Sequence, residues 1–414
     1  MYLIRIAVRN LFRRRTRTVV IGSILSVAVV CFLLLESMMV AMMDVAFDNV
    51  IDFETPHVEV GREKFFSEAD AGQMLPVKEY FQVDEALQDE AQQLSGYRAS
   101  TTALDFSADF IAGRYDFPVT VRAIDLDSFG DVFAHEDNIA RGSFVDREGG
   151  AVIGKDLARF FDLEVGDDFT LRFQDADGYF NTLWGVVNGI LDTPHHEINQ
   201  AWVFLAREDG VQGLGVADDA VHRYMIRLEH REGAEHRAEE LQAAIGGSAL
   251  DVRSYRDASE LLLTMEAWGY IETYFILALF LLVGAIGIIA AVVLSALERI
   301  REIGMMKALG LRESEILRIF LYEAGGIGVV GGLMGCVIGG IGVWLFKTYG
   351  FPMEAFFEIE AFSMLPMDPR LYGVWNTQSF FFIFAIVVLL AVTASVVPAW
   401  WAAKKDPIEA IRHR

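Results

Sequence analysis

The segment Gly149–Asp156, GGAVIGKD, falls one residue short of the phosphate-binding pattern G-x4-G-K-[ST]. In that pattern the glycines let backbone N–H groups close on phosphate, the lysine reaches it, and the final hydroxyl holds magnesium. Asp156 occupies the hydroxyl position and adds negative charge beside the phosphates. The segment therefore reads as a strand, a turn and a helix (DLARFF), and no nucleotide site is expected in this chain. His195, His196 and Glu197 form the one histidine cluster of note. Metal sites draw several ligands from helical or turn spacing; adjacent loop histidines are expected to face water. No Ser/His/Asp or Cys/His arrangement with a supporting elbow occurs, so no catalytic residue, cofactor or metal is assigned. Cys31 and Cys336 sit in apolar stretches and read as free thiols acting as small apolar residues. Two carboxylates, Glu36 and Glu323, also lie in apolar stretches. A membrane carboxylate is costly unless paired or near water. Glu36 therefore reads either as facing the interior of an assembly or as a neutral or snorkelling side chain.

The elements around these residues follow from hydropathy and charge. Of 414 residues, 53% are hydrophobic and the mean hydropathy is +0.33, yet the formal net charge is −23. Segregation resolves the conflict: apolar spans in one place, a polar domain in another. A membrane helix needs about 20 mostly apolar residues. Four stretches qualify, and the chain divides into 1–18, an interfacial helix; 19–43, the first span; 44–268, an inserted α/β domain; and 270–297, the second span. There follow 298–315, a short charged helix; 316–346, the third span; 347–377, a loop; 378–403, the fourth span; and 404–414, a tail. Residues 44–268 carry 45 acidic and 18 basic residues, a net of −27, while the remainder nets +4. Arginine and lysine crowd the segments before span one, between spans two and three, and after span four. The positive-inside rule puts those segments and both termini in the cytoplasm and the insert outside. The fold class expected is an α-helical membrane protein with four transmembrane helices and a large extracytoplasmic α/β domain between helices 1 and 2. The acidity argues against nucleic acid as a partner.

Within the insert, 84–95 and 234–245 read as helices and 256–265 as a helix leading toward span two. Val119–Ile124, Phe169–Phe173, Leu183–Leu191, Ala201–Leu205 and Tyr224–Leu228 read as strands. In span three, Gly328, Gly331, Gly332, Gly335 and Gly339 repeat at spacings that let helices approach closely, and Gly287 with Ala291 and Ser295 extends the pattern to span two. Met38, Met39, Met42 and Met43 read as plain membrane helix, or as a soft surface for acyl chains.

Two further segments are specific in combination. One contains Arg299, Glu302, Ile303, Gly304, Ala308, Leu309, Gly310, Ile316, Phe320 and Glu323. The other contains Pro398, Ala399, Ala402, Pro407, Ala410, Ile411 and Arg412, with Asp406, Pro407 and Glu409 opening a helix. With Ala7, Asn10, Leu11, Arg13, Arg17 and Thr18 at the N-terminus, and Val152–Asp167 in the insert, they resemble the FtsX-like family of ABC-transporter permeases. That family includes MacB and the LolC/LolE lipoprotein-release subunits. Arg312 departs from it, standing where a small or hydroxyl residue is usual.

The resemblance implies a permease of the bacterial inner membrane without ATPase activity of its own. A separate cytoplasmic ABC ATPase would bind ATP and magnesium and dock on Arg299, Arg301, Glu302, Ile303, Gly304, Lys307, Ala308, Leu309 and Gly310. A second permease subunit, identical or related, would complete the membrane core. The family is thought to work by mechanotransmission: ATP-driven closure moves the outer domains, and substrate need not cross the bilayer. Lipoprotein release is the leading function. Adaptor-assisted efflux of peptide or drug, and signalling to a cell-wall hydrolase, are the alternatives.

Overall fold

The computed structural model describes residues 2–13, 15–145, 149–246, 249–352 and 370–404. The expected tail helix at Asp406, Pro407 and Glu409 lies outside the described residues, as do residues 353–369 of the expected outer loop. In chain order the elements begin with α1 (Tyr2–Arg13) and α2 (Arg15–Phe53). The insert follows: β1 (Val58–Arg62), α3 (Glu63–Asp70), β2 (Phe81–Gln82), α4 (Glu85–Gln93), β3 (Tyr97–Ala112), β4 (Tyr115–Ile124), α5 (Phe129–Val132), β5 (Ile139–Gly142), β6 (Gly150–Gly154), α6 (Lys155–Phe161), β7 (Asp168–Gln174), β8 (Phe180–Leu191), α7 (His196–Ala201), β9 (Trp202–Ala206), α8 (Arg207–Leu214), β10 (Ala220–Val221), β11 (Arg223–Leu228), α9 (Ala234–Ala244) and β12 (Leu250–Ser254). The chain then forms α10 (Glu260–Glu298), α11 (Ile300–Ala308), α12 (Glu313–Tyr349), β13 (Phe351–Pro352), β14 (Arg370–Leu371) and α13 (Thr377–Lys404).

Two compact units result. The first takes Met1–Met42, Met265–Met353 and Arg370–Arg414. It holds the apolar helices, four of which are long and apolar enough to cross a membrane: Thr18–Phe53, Leu262–Glu298, Glu313–Tyr349 and Thr377–Lys404. Each is longer than the stretch expected, because the helix continues past the apolar run. The helix expected over 256–265 is not separate: after a turn, α10 starts at Glu260 and runs unbroken to Glu298. In hydrocarbon every backbone group must bond internally, so even glycine-rich α12 stays helical despite the propensity cost of each glycine.

Those glycines give α12 two bare faces. A Cβ on Gly331 would lie 2.8 Å from the Gly22 carbonyl, and one on Gly335 would lie 2.5 Å from Val29 Cβ. A Cβ on Gly339 would lie 2.8 Å from Leu33 Cδ1, so this face meets α2. Gly328 and Gly332 face α13, 2.7 Å from Ala391 Cβ and 2.8 Å from Phe384 Cδ2 by the same measure. Gly287 differs from the expectation. Its nearest neighbour would be Ile24 Cδ1 at 3.8 Å, an ordinary contact, whereas Gly284, three residues earlier, would meet Leu25 Cδ2 at 2.8 Å. Three residues carry the helix through about 300°, some 60° short of a full turn, which takes Gly287 off the contact line.

The second unit covers Met43–Thr264 and is built on one large mixed sheet, ordered β12-β1-β11-β3-β4-β9-β6-β8-β5. β7 pairs with both β3 and β8, so the path β3-β4-β9-β6-β8-β7 closes on itself. Leu104, Phe106, Phe110, Val121, Ile153, Phe169, Leu171, Val203 and Leu205 form the core within it. The last residues of α2 are clamped in this unit. Asp44 and Asp48 pair with Arg231, and Asp52 pairs with Arg227 at 2.6 Å. The three aspartates stand at i, i+4 and i+8, on one helix face.

Candidate functional site

The segment Glu298–Leu311 leaves helical geometry twice. α10 ends at Glu298, Arg299 leaves helical geometry with φ −112°, and α11 begins. Gly310, at φ +93°, closes α11 through its N–H to the Lys307 carbonyl at 2.9 Å. A left-handed residue is what this termination requires, and glycine takes it without a Cβ penalty. Arg312, the departure from the family pattern, opens α12 without a side-chain acceptor of its own. The Glu315 carboxylate supplies one instead, accepting the Arg312 N–H at 2.8 Å. That is the back half of a capping box.

This short helix has two sides. Ile303 and Gly304 are buried, with Ile303 in the same core as Ile316 and Phe320 of α12. Arg299 donates from Nε to Glu302 Oε2 at 3.0 Å and from Nη1 to Glu323 Oε2 at 3.1 Å. Both Arg299 and Glu323 keep little more than a tenth of their side chains exposed. Glu323 is thus accounted for: the carboxylate in an apolar stretch is the counter-ion of the motif arginine. Lys307 pairs with Glu313 at 3.3 Å across the Gly310 turn. The opposite side of α11 faces outward with Arg301, Met305, Ala308 and Leu309, and Leu309 is 83% exposed. The residues expected to dock a partner as one block therefore divide. Arg299, Glu302, Ile303, Gly304 and Lys307 hold the helix in place, while Arg301, Ala308 and Leu309 present a surface, with Gly310 exposed at its end. Met305 belongs to that surface and is absent from the expected set, although its spacing of four from Arg301 marks it.

Glu36 has a different environment. Its Oε1 accepts from Asn376 Nδ2 at 2.9 Å and from Ser379 Oγ at 2.6 Å. Asn376 also caps α13, accepting the Gln378 N–H at 3.1 Å. The carboxylate therefore sits at a helix N-terminus, where the dipole favours negative charge. It ties α2 to α13 rather than snorkelling.

In the second unit, the expectation that His195 faces water is corrected. His195 is buried, and its Nε2 pairs with Glu54 Oε2 at 2.9 Å. Burial opposes the charge on Glu54, but the His195 hydrogen bond and the charges of His195, Arg122 and Arg223 hold its carboxyl below the ordinary range. Burial likewise opposes protonation of His195, and the Glu54 hydrogen bond and charge outweigh it and raise its pKa. The same cluster continues through Arg122, bidentate on Asp105 at 2.9 and 2.8 Å, and Arg223, which bridges Asp105 and Glu59. Among the described residues no group of three or more His, Cys, Asp or Glu is arranged to hold a metal ion. In the GGAVIGKD segment β6 runs directly into α6. Lys155 pairs with Asp192, and Asp156 pairs with Arg159 at 2.9 Å, so both side chains are engaged within the domain.

Three comparisons bear on this architecture. Residues 274–407 match the family model for the FtsX-like permease C-terminal domain. LolC of Xylella fastidiosa, named as a lipoprotein-releasing system transmembrane protein, is 24% identical over 271 residues, covering 63% of this chain and 64% of its own. MacB of Agrobacterium fabrum, named as a macrolide export ATP-binding/permease protein, is 34% identical over 131 residues, 32% of this chain and 17% of its own. The chain thus spans less than two thirds of either relative. The solved periplasmic region of MacB from Actinobacillus actinomycetemcomitans is 10% identical with a TM-score of 0.34, covering 52% of this chain and 96% of that one. The matched segment takes in the second half of the apolar unit, including both sides of α11 and the Arg299–Glu323 pair. The family-level similarity of this chain is thus to the FtsX-like permease C-terminal domain, over residues 274–407.

Proposed function

We propose that this chain is the membrane permease subunit of an ABC transport system and that a separate ATPase docks on α11. The observation that carries the reading is the two-sidedness of that helix. One side is fixed by Ile303, Gly304 and the Arg299–Glu323 pair; the other offers Met305 and an 83%-exposed Leu309 beside Arg301. An exposed apolar cluster with a basic neighbour, on a helix lying outside the apolar spans, suits a protein partner. By the positive-inside rule α11 and the N-terminus lie in the cytoplasm, where that partner would bind ATP and magnesium. Closure of the ATPase would move α11, and Arg299 would pass the motion to α12. A second permease subunit would complete the membrane core.

Lipoprotein release from the inner membrane is the substrate reading. Its support is the reach of the LolC alignment, 63% of the chain against 32% for MacB. Adaptor-assisted efflux is the second reading, supported by the higher local identity to MacB. Affinity purification of the detergent-solubilised complex tests the core of the proposal: an ABC-type ATPase is expected with it, and its absence overturns the permease reading. A photo-crosslinking scan of 44–268 separates the substrates, since trapped lipoprotein supports the first and a trapped periplasmic adaptor the second.

A further inference from the structure

Beside the Arg299 turn, three helices of the apolar unit line a small cavity with three polar residues in an apolar wall. Its volume is about 20 Å³, and it is lined by Thr18 of α2, Ser295 of α10 and Glu323 of α12, with Ala291, Val292, Phe320, Ala324 and Ile327 closing it. Ser295 is 2% exposed, and its Oγ has no hydrogen-bond partner among the described residues. An isolated buried hydroxyl costs about 1–3 kcal/mol if left unsatisfied. A water needs about 10–15 Å³ of such space and two to four polar partners. Thr18 Oγ1 already donates to the Leu11 carbonyl at 3.3 Å and can still accept, Glu323 accepts, and the Ser295 hydroxyl is the donor without a partner among the described residues.

We propose that Thr18, Ser295 and Glu323 bind one internal water molecule, which fixes the Glu323 carboxylate where it accepts Arg299. The first part stands on the cavity and the unpartnered hydroxyl alone. The second follows from position. Ser295 lines the cavity beside Glu323, and Arg299, at the break that ends α10, donates to that same carboxylate. Glu323 Oε2 accepts Arg299 at 3.1 Å. A water held by two hydroxyls from neighbouring helices limits the rotation of that carboxylate. Thr18 and Ser295 are then positioning residues for the turn that carries α11. This joins the N-terminal segment ending in Thr18 to Arg299 and Glu323, which are remote in sequence. It also gives Ser295 a polar role in place of the packing role its spacing to Gly287 and Ala291 implies. The link to α11 rests on the proposed permease function; the water does not.

The first test is a map of the full chain in lipid nanodiscs at a resolution that shows ordered solvent. One peak within hydrogen-bonding distance of Ser295 Oγ and a Glu323 oxygen is expected; no peak there overturns the site. Thermal unfolding then discriminates by sign. With water bound, Ser295→Ala removes one of its partners and lowers Tm by about 2 °C. In a dry cavity the same change removes an unsatisfied hydroxyl, so an unchanged or higher Tm overturns the proposal. Thr18→Ser keeps the hydroxyl and should hold Tm. The positioning role is read by amide exchange over 299–311. Ser295→Ala should raise it by about threefold or more, as local opening becomes easier, and Thr18→Ser should leave it unchanged. Unchanged exchange in Ser295→Ala overturns the positioning role. None of these readouts involves an ATPase, so they fail or succeed independently of the permease reading.

Discussion

Arg299 and Glu323, 24 residues apart in sequence, meet at 3.1 Å with both side chains largely buried. The pair spans the break between α10 and α11 and the Gly310 turn, fastening the short motif helix to the start of the third apolar helix. Glu302 shares the same guanidinium.

Removing one partner of this pair should cost more than removing both. Glu323→Leu leaves Arg299 with one partly exposed carboxylate, and a loss of about 2 kcal/mol is expected; breaking a fully buried pair costs about 3–5 kcal/mol. Arg299→Leu combined with Glu323→Leu should recover part of that loss. A double-mutant cycle by thermal unfolding in detergent measures the coupling, and a coupling near zero would show that the pair holds nothing.

The outward side of α11 should matter for partner binding and not for folding. Leu309→Asp and Met305→Asp should each reduce co-purification of the ATPase by about 30-fold or more, the scale of a buried interface anchor. Yield and unfolding temperature should stay at the parent level, because neither side chain packs in the core. Ile303→Asp is the contrast: it should lower stability itself. If the Leu309 and Met305 variants retain full co-purification, the docking surface lies elsewhere.

Glycines of similar appearance in sequence should respond in opposite ways. Gly335→Ala puts a methyl 2.5 Å from Val29 Cβ and should destabilise by about 1–3 kcal/mol through overpacking. Gly287→Ala meets only Ile24 Cδ1 at 3.8 Å and should be neutral, or stabilising by up to about 1 kcal/mol from helix propensity. Thermal unfolding of the two variants side by side decides this, and equal effects would contradict the packing described for α12.

Unit 2 should lose stability as pH falls below the ordinary histidine range. His57 is buried and accepts the Leu228 N–H at its Nδ1. Burial, then the charges of Arg227, Arg231 and His230, lower its pKa from 6.5 to about 3. Between those values the unfolded chain takes a proton that the native state refuses, so stability falls with pH by up to about 1.4 kcal/mol per unit. His135 and His222 are lowered also, chiefly by burial, and add in the same direction. The Glu54–His195 pair differs: its contribution is present between the depressed Glu54 value and the raised His195 value, and is lost above the latter. Protection of the Leu228 amide, corrected for intrinsic exchange, should fall from pH 6.5 to pH 4.5, and His57→Gln should flatten the slope. A flat profile in the parent would exclude a neutral buried His57.

The readability of this chain varied with the range of the interactions involved. The apolar helices were legible because hydropathy over about 20 residues is a local sum. Strands such as Phe169–Phe173 and Tyr224–Leu228 showed through alternation, and β7 and β11 occupy them. β3 was missed: its ASTTALDFSADF run mixes small, polar and acidic residues, because it pairs with β4, β7 and β11 along different stretches and is buried on both faces from Ala103 to Phe106. The motif residues of α11 were legible as a group, but their division into a holding side and a presenting side was not. That division depends on α12, and the Arg299–Glu323 distance is set by a turn no local pattern measures. His195 misled for the same reason. Two adjacent loop histidines look solvated until the end of α2 brings Glu54 beside one of them.

The bare faces of α12 restrict how the protein can be repaired by mutation. A glycine can only gain atoms, so damage at Gly331, Gly335 or Gly339 cannot be undone by trimming α12 itself. Relief must come from the facing side chains where those are nearest: Val29 and Leu33 on α2 for Gly335 and Gly339, and Phe384 or Ala391 on α13 for Gly332 and Gly328, whereas Gly331 faces the Gly22 backbone carbonyl, which no substitution trims. Second-site suppressors of the two glycine sets should therefore fall on different helices, and their genetic map would draw the two contact faces without any coordinates.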